Sequence, residues 1–491
     1  MSPLWRIAEF LAATEGRLEG GVPQPAWSDD ETAGAISPMS ITGISIDSRT
    51  VGPREAFFAI KGDRFDGHDF AEAALKRGAA LAVVSEDRRE ELSGGPFVVV
   101  PDDPLKALER LGIAARARSH AKIVAVTGSV GKTGTKEMLR LVFSLLGETH
   151  APVGSFNNHW GVPLTLARLP EKAAFGIFEI GMNHAGEISP LTRMVRPDVA
   201  IITTVGPVHI EFFGTVEAIA DAKAEIFEGL EQGGTAILNR DNDQFDRLAG
   251  AARARGARIV SFGEHPDSDV SLVGLIEEAS GSLVTADVFG DSVQYRLGAP
   301  GRHLATNSLS VLATVAVLGE SPSAAGHALS GFSAPVGRGA RTRLRIGEGS
   351  FTLIDESYNA NPASMRAAIA LLGAAEPASN GRRIAVLGDM GELGDQAPAF
   401  HAELVDNLAT ARADQIFLVG PLMHHLWNHL PERVQGAYAE TAGEIEPILL
   451  DAIRPGDVVM VKASLSTGLG RLVAAVKERF PARDPSEKEE S

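Results

Sequence analysis

The chain has 491 residues, 44% hydrophobic and 22% charged, with a formal net charge of −17 and no cysteine. That length allows about three domains, each with its own core. The acidic balance argues against a nucleic-acid partner, which is held largely by Lys and Arg, and the lack of cysteine excludes disulfides, thiolate nucleophiles and cysteine metal sites.

The N-terminal stretch "MSPLWRIAEFLAATEGRLEG" carries acids inside its apolar run, so it does not read as a signal peptide. No window reaches the ~18 uninterrupted apolar residues of a membrane span, and the expectation is a cytoplasmic protein. "GGVPQPAWSDDETAGAISP" reads as a loop, and "FFAI", "AALAVVS" and "PFVVVP" as short buried strands.

"KIVAVTGSVGKTGTKEML", Lys122 to Leu139, reads as a buried strand, a glycine-rich turn and a helix. Met138, Leu139, Val142, Phe143, Leu145 and Leu146 recur near the helical period, predicting one buried helical face. In the turn, Gly128, Ser129, Val130 and Gly131 would curl backbone N–H groups around an anion at the positive end of the helix, which begins with Lys132, Thr133 and Gly134. Lys132 would reach the β- and γ-phosphates of a nucleotide and Thr133 would put its hydroxyl on Mg²⁺. The spacing departs from the common G-x-x-x-x-G-K-[ST] pattern, with Val126 where the first glycine would stand.

"AFGIFEIG", "DVAIITTVG", the helical "TVEAIADAKAEIFEGL" and "GTAILN" follow, an alternation that predicts a parallel sheet with helices on its faces. Ligands in such sheets gather at the carboxyl ends of strands. Glu179 stands at one such end and suits Mg²⁺, although a surface acid has the same spacing. His209 and Lys223 are, from their own context, a structural histidine and a helix lysine. Asn157 and Asn158 in "SFNNHWGVPLTLARLP" make either a plain turn or a loop that grips a polar substrate. Beyond Pro335 to Gly339, a candidate hinge, "RRIAVLGDMGELG", "DQIFLVG" and "DVVMVKAS" predict a second, Rossmann-like α/β unit. The tail "PARDPSEKEES" reads as disordered. The reading is an α/β protein of three domains, at residues 1–115, 116–336 with the phosphate loop, and 337–480, before a tail at 481–491.

"TGSVGKT", "SFNNHWGVPLT", "FEIGMNHAGEI", "TTVGPVHIEFFGT", "DAKAEIF", "GRHLATNSLSVLA", "IDESYNANPASMRAAI" and "LGDMGELG" occur in this order. Together they resemble the Mur ligases of peptidoglycan synthesis, from about Ile41 to Arg471. "SYNANPAS" and "LGDMGELG" point, within the family, to the type that joins D-alanyl-D-alanine to UDP-N-acetylmuramoyl-tripeptide. The D-N-P-[RA] signature expected of the ligase for the third residue is not found. The resemblance implies an ATP-dependent amide ligase, with a UDP-sugar-binding N-terminal module, that works through an acyl phosphate as a monomer.

By the same resemblance Gly128 to Gly134 hold ATP, Asn307 faces the adenine, and Arg338 and Asp355 meet ATP when the third domain closes. Thr133, Glu179, His209 and Lys223 belong to the sites of two Mg²⁺ ions, Lys223 as a carbamate that either ligates metal or orients a metal-bound water. Asp47, Ser48, Arg49, Asp66, Gly67 and His68 line the nucleotide-sugar pocket, while Asn157, Asn158, Tyr358, Asn359 and Asn361 face substrate. The segment "VKASLSTGLGR" departs from the K-G-S-R common in this type, leaving Lys462 and Ser464 as candidates for holding the dipeptide. Two other readings stay open: a sister ligase that adds a diamino acid or glutamate, and a nucleotide-dependent switch.

Overall fold

The computed structural model describes residues 3–20, 40–62, 64–208, 210–278 and 280–482. His209, nearly all of the glycine- and proline-rich loop, and the tail from 483 onward lie outside the described residues.

Among the described residues three large sheets carry the molecule, beside a two-stranded pair, Trp5–Arg6 with Ser40–Ile41. The first has five strands, in the spatial order Arg17–Glu19, Phe97–Val100, Leu81–Ser85, Glu55–Phe58 and Gly43–Ser45, and all but the Arg17 edge strand run parallel. The three apolar runs singled out early in the sequence are its inner strands. Apart from Glu55 at the start of one of them, these strands are buried, as apolar runs are in a sheet covered on both faces.

The second sheet has nine strands. Its centre is Lys122–Thr127, flanked by Phe175–Glu179 on one side and Val199–Ile202 on the other, all parallel. The register sets Glu179 opposite Val126 and Ile202 opposite Thr127, so three strand ends stop level with one another beside the phosphate turn. Val126 is fully buried within the strand; the turn begins only at Gly128. Beyond Arg258–Gly263 lies Val270–Glu278, parallel to it, and then an antiparallel extension through Gly281–Val288 and Asp291–Leu297. The sheet is therefore mainly parallel, as expected for the central unit, with an antiparallel hairpin edge.

Two expected helices are shorter than their apolar periodicity. The helix after the turn ends at Phe143, leaving Leu145 and Leu146 exposed at 70% and 39%. The segment from Thr215 is α-helical over Val216–Ala224 and tightens to a 3₁₀ turn at Glu225–Gly229.

The third sheet is six-stranded, in the order Ala340–Ile346, Gly349–Glu356, Val458–Lys462, Arg383–Gly388, Gln415–Val419 and Gln435–Ala439. After its first antiparallel pair the strands are parallel, with an apolar core on each face. One continuous core joins the first sheet to one face of the second, and Trp5 Nε1 locks the two together by donating to Ala167 O at 2.9 Å. Among the described residues no helix is long and apolar enough to cross a membrane.

Candidate active site

The phosphate turn is shaped by glycines whose positive φ and close neighbours strain any other residue. Gly128 has φ +148°, and a Cβ there would stand 2.0 Å from Thr203 Oγ1; Gly131 has φ +87°, and its Cβ would meet Asn307 Nδ2 at 2.6 Å. The turn is clamped from the neighbouring strand end. Ser129 N donates to Thr204 O at 2.8 Å, and Thr203 Oγ1 donates to Val130 O at 2.6 Å. Lys132 Nζ donates across the loop to Gly128 O at 2.6 Å.

Beside the turn, the buried Glu179 carboxylate has both oxygens engaged. Oε2 accepts from Thr133 Oγ1 at 2.9 Å and Oε1 from Asn157 Nδ2 at 2.7 Å. Ser155 Oγ lies 3.3 Å from Thr133 Oγ1. Asn158 does something different: its Oδ1 accepts from Gly161 N at 2.9 Å and starts the next helix.

These groups face a cavity of about 550 Å³ whose opposite wall belongs to the third sheet. Ser129, Val130, Gly131, Lys132, Gly134, Asn157, Glu179 and Asn307 line it from the central unit, and Arg338, Tyr358, Asn359 and Asn361 from the C-terminal one. Arg338 stacks its guanidinium over the Tyr358 ring at 4.2 Å. Glu356 and Lys462 also line the cavity; they are register partners at the ends of adjacent strands, and Lys462 Nζ donates to Glu356 Oε2 at 3.2 Å and to Asn359 O at 2.9 Å.

Residues 126–315 match the Mur ligase middle domain, 340–465 the Mur ligase glutamate ligase domain, and 40–121 the Mur ligase family catalytic domain. The UDP-N-acetylmuramoyl-tripeptide–D-alanyl-D-alanine ligase of Escherichia coli K12 is 33% identical over 442 residues, which cover 90% of this chain and 94% of that protein. The chain belongs to the Mur ligase family. Among solved structures, MurF from Acinetobacter baumannii superposes with a TM-score of 0.81 at 31% identity, over 97% of this chain and 99% of that one. MurF from Thermotoga maritima in complex with ADP gives 0.74 at 26%, over 89% and 97%.

Not every residue singled out in this Mur ligase lines the cavity. Asp355 is 1% exposed and its carboxylate is engaged inside the hinge: Oδ2 accepts from Gly337 N at 3.2 Å, and Oδ1 accepts from Ser357 N and Oγ. It braces the Pro335–Gly339 segment that carries Arg338. Ser464 is likewise buried, its Oγ accepting from Gly391 N at 2.8 Å. Lys223 is 3% exposed and lies outside the lining. Burial, with the nearby Lys132 charge adding to it, drives its ammonium well below the ordinary lysine value. Lys132 is also lowered by burial, with the Glu179 carboxylate opposing and Arg338 assisting.

The nucleotide-sugar candidates form two turns that leave the carboxyl ends of the adjacent strands Gly43–Ser45 and Glu55–Phe58. Arg49 grips Asp47 with Nε and Nη2 at 2.9 and 2.7 Å, holding that carboxyl below the usual range, and Ser48 sits half-buried between them. At the other turn a Cβ on Gly67 would stand 2.6 Å from Ile60 N, so backbone meets backbone there. Ser85 N donates to His68 Nε2 at 3.0 Å, which leaves the proton on Nδ1 to meet Asp66 Oδ1 at 2.6 Å. Asp66 also takes Arg88 Nη1 at 2.5 Å.

Among the described residues no group of three or more His, Asp or Glu could hold a metal by itself. Glu179 lines the cavity and Thr133, buried just behind the lining, donates to its carboxylate; this oxygen-only pair fits Mg²⁺, which takes one or two protein oxygens and completes its shell with phosphate and water.

Proposed function

We propose that this Mur ligase joins D-alanyl-D-alanine to UDP-N-acetylmuramoyl-tripeptide at the cost of ATP, giving UDP-N-acetylmuramoyl-pentapeptide, ADP and phosphate. The observation that carries the reading is the two-walled cavity, with a phosphate loop on one side and the "SYNANP" turn on the other. Near-full-length similarity to ligases of that name supports it, including the Bacillus subtilis protein at 32% identity over 88% of this chain.

A carboxylate must be activated before an amine can attack it. An oxygen of the tripeptide's terminal carboxylate attacks the γ-phosphorus of ATP, the bond to the β-phosphate oxygen breaks, and ADP leaves. The amine of D-alanyl-D-alanine then attacks the acyl carbon, loses a proton, and inorganic phosphate departs from the tetrahedral intermediate. In such chemistry positioning and charge neutralisation dominate. The backbone N–H groups of the turn and the Lys132 ammonium receive the phosphates, and Asn307 lies against the same turn for the nucleoside. Thr133 and Glu179 would hold Mg²⁺, which when bound neutralises the phosphate charge.

Arg338, carried by the hinge that Asp355 braces, brings a second cation to the phosphates from the C-terminal wall. Asn157, Tyr358, Asn359 and Asn361 orient the reacting peptide ends, with Lys462 and Glu356 beside them. The strand-end turns at Asp47–Arg49 and Asp66–His68 receive the uridine diphosphate. Walls on both sides keep water from the acyl phosphate.

Lys223 suits the carbamate reading. A neutral amine, which its burial favours, can add CO₂ and release a proton; the resulting anion would be attracted by the Lys132 charge that repels the ammonium. The carbamate and His209 would then serve a second Mg²⁺. On this reading the protein is a monomeric cytoplasmic enzyme, and the three units at 1–115, 116–336 and 337–480 supply sugar nucleotide site, ATP site and closing wall.

Phosphate release tests the reading, with purified protein, Mg²⁺, ATP and UDP-N-acetylmuramoyl-tripeptide. Release should require D-alanyl-D-alanine and fail with D-alanine, meso-diaminopimelate or lysine. Release with a diamino acid and the muramoyl dipeptide would make it the sister ligase; no acceptor dependence would leave a nucleotide-binding protein.

A further inference from the structure

Lys136 lies one turn beyond Thr133 on the phosphate-loop helix and is fully buried. Its Nζ meets three oxygens: Pro152 O at 2.9 Å, Gly154 O at 2.8 Å and Glu137 Oε1 at 2.6 Å. An ammonium has three N–H donors, so this one is saturated, and two of its three partners are backbone carbonyls of a single loop.

Past the buried Pro152 that loop has little else to hold it where the lysine grips. Val153 is 87% exposed, and Gly154, at φ +78°, has nothing within 4 Å of where its Cβ would be. The next residues enter the site. Ser155 Oγ reaches Thr133 Oγ1, Asn157 Nδ2 holds Glu179 Oε1, and Asn157 O accepts from Gly181 N at 2.8 Å. Glu137 is partly exposed and keeps Arg140 Nε at 2.7 Å, so a neutral side chain at position 136 does not strand its carboxylate. A methionine would fill the space at position 136 but would release both carbonyls.

We propose that Lys136 is a positioning residue for phosphoryl transfer: it ties loop 152–154 to the phosphate-loop helix and so fixes the Ser155 and Asn157 side chains against Thr133 and Glu179. It acts through those residues and does not line the cavity. The proposal rests on the reading of Thr133 and Glu179 as part of the ATP site.

The absence of any native cysteine gives a clean test. Lys136→Cys is unfolded, alkylated with either an aminoethyl or a neutral propyl group, and refolded, with the parent taken through the same cycle. Lys136→Met is the genetic counterpart. Amide hydrogen exchange over residues 152–158 reads the tether, and kcat against KM for ATP reads its consequence. The neutral side chains should speed exchange and lower kcat about 10–100-fold, the usual effect of losing a group that orients a ligand, with a much smaller change in KM. The aminoethyl chain should restore both.

Equal impairment by aminoethyl and propyl chains, or a neutral variant with parent-like exchange and kcat, overturns the proposal. Should the Lys136 variants not fold, Gly154→Ala strains only the exposed loop: faster exchange with lower kcat is expected, and faster exchange with parent-like kcat overturns it. Failure of the parent to release phosphate with any acceptor would strike at the assigned reaction instead, and the exchange comparison would still decide whether the tether exists.

Discussion

Replacing Glu179 with Gln separates charge from shape at the centre of the site. The carboxylate accepts two hydrogen bonds, from Thr133 Oγ1 and Asn157 Nδ2. Bonds to a charged acceptor contribute about 1.5–3 kcal/mol each and neutral ones about 0.5–1.5. The amide keeps one acceptor, and the Thr133 hydroxyl can rotate to accept from its NH₂. Up to about 3 kcal/mol of hydrogen bonding is lost, but the cost of holding a carboxylate out of water, several kcal/mol for a buried ion, is relieved as well. Net stability should move by no more than about 2 kcal/mol, a melting shift of roughly 4–8 °C at most for units of this size. Activity should fall on the order of 10²–10³-fold, the usual loss when one preorganised electrostatic group is removed from a phosphoryl or acyl site. Thermal melts and steady-state phosphate release on the same preparation read the two numbers. A variant that melts like the parent and keeps activity to within about tenfold, 1.36 kcal/mol, would refute the assignment of the Glu179 charge to catalysis.

Gly128→Ala should weaken ATP binding and cost about 1–3 kcal/mol of stability from backbone strain alone, with a further clash of the new Cβ against Thr203 Oγ1 at 2.0 Å; because Thr203 also clamps the turn, the alanine at 128 should cost less in a Thr203→Ala background than in the parent by calorimetric titration, and an equal cost in both would place the clash elsewhere. Lys223→Ala should be inactive until a small carboxylate is supplied, and full activity without rescue would end the carbamate reading. His150, whose Nε2 meets Thr165 O at 2.7 Å, is pushed down by burial to about 4. An unfolded histidine takes up its proton near pH 6.5, so the stability this residue contributes is present above that pH and is lost as pH falls toward 4, up to about 3 kcal/mol. Melts of the parent and of His150→Gln should converge across that window, and parallel curves would contradict it.

The phosphate turn was legible because its signal is local: a β-branched strand, two glycines at fixed offsets and an amphipathic helix lie within eighteen residues. Other elements were hidden by the same localness. Leu145 and Leu146 extended the helical period past Phe143, where the chain has already turned. The strands Gly281–Val288 and Asp291–Leu297 do alternate, so that hairpin was readable from residue types, but Val270–Glu278 does not and was not. Nor was Lys136. Its partners lie 16 and 18 residues away, and nothing in a helix lysine's sequence context says that its ammonium is buried. Asp355 shows the converse, for a strand-end acid beside a glycine hinge has the same sequence signature whether it faces ligand or braces the hinge.

The account stands on one bond, the link formed between a substrate carboxylate oxygen and the γ-phosphorus. UDP-N-acetylmuramoyl-tripeptide labelled with ¹⁸O in its terminal carboxylate tests it in a single turnover with ATP and D-alanyl-D-alanine. Activation through an acyl phosphate predicts one labelled oxygen in each released phosphate and the other in the new amide carbonyl. Phosphate released without label, alongside pentapeptide product, would mean that ATP is hydrolysed by water and that the cavity does not activate the carboxylate.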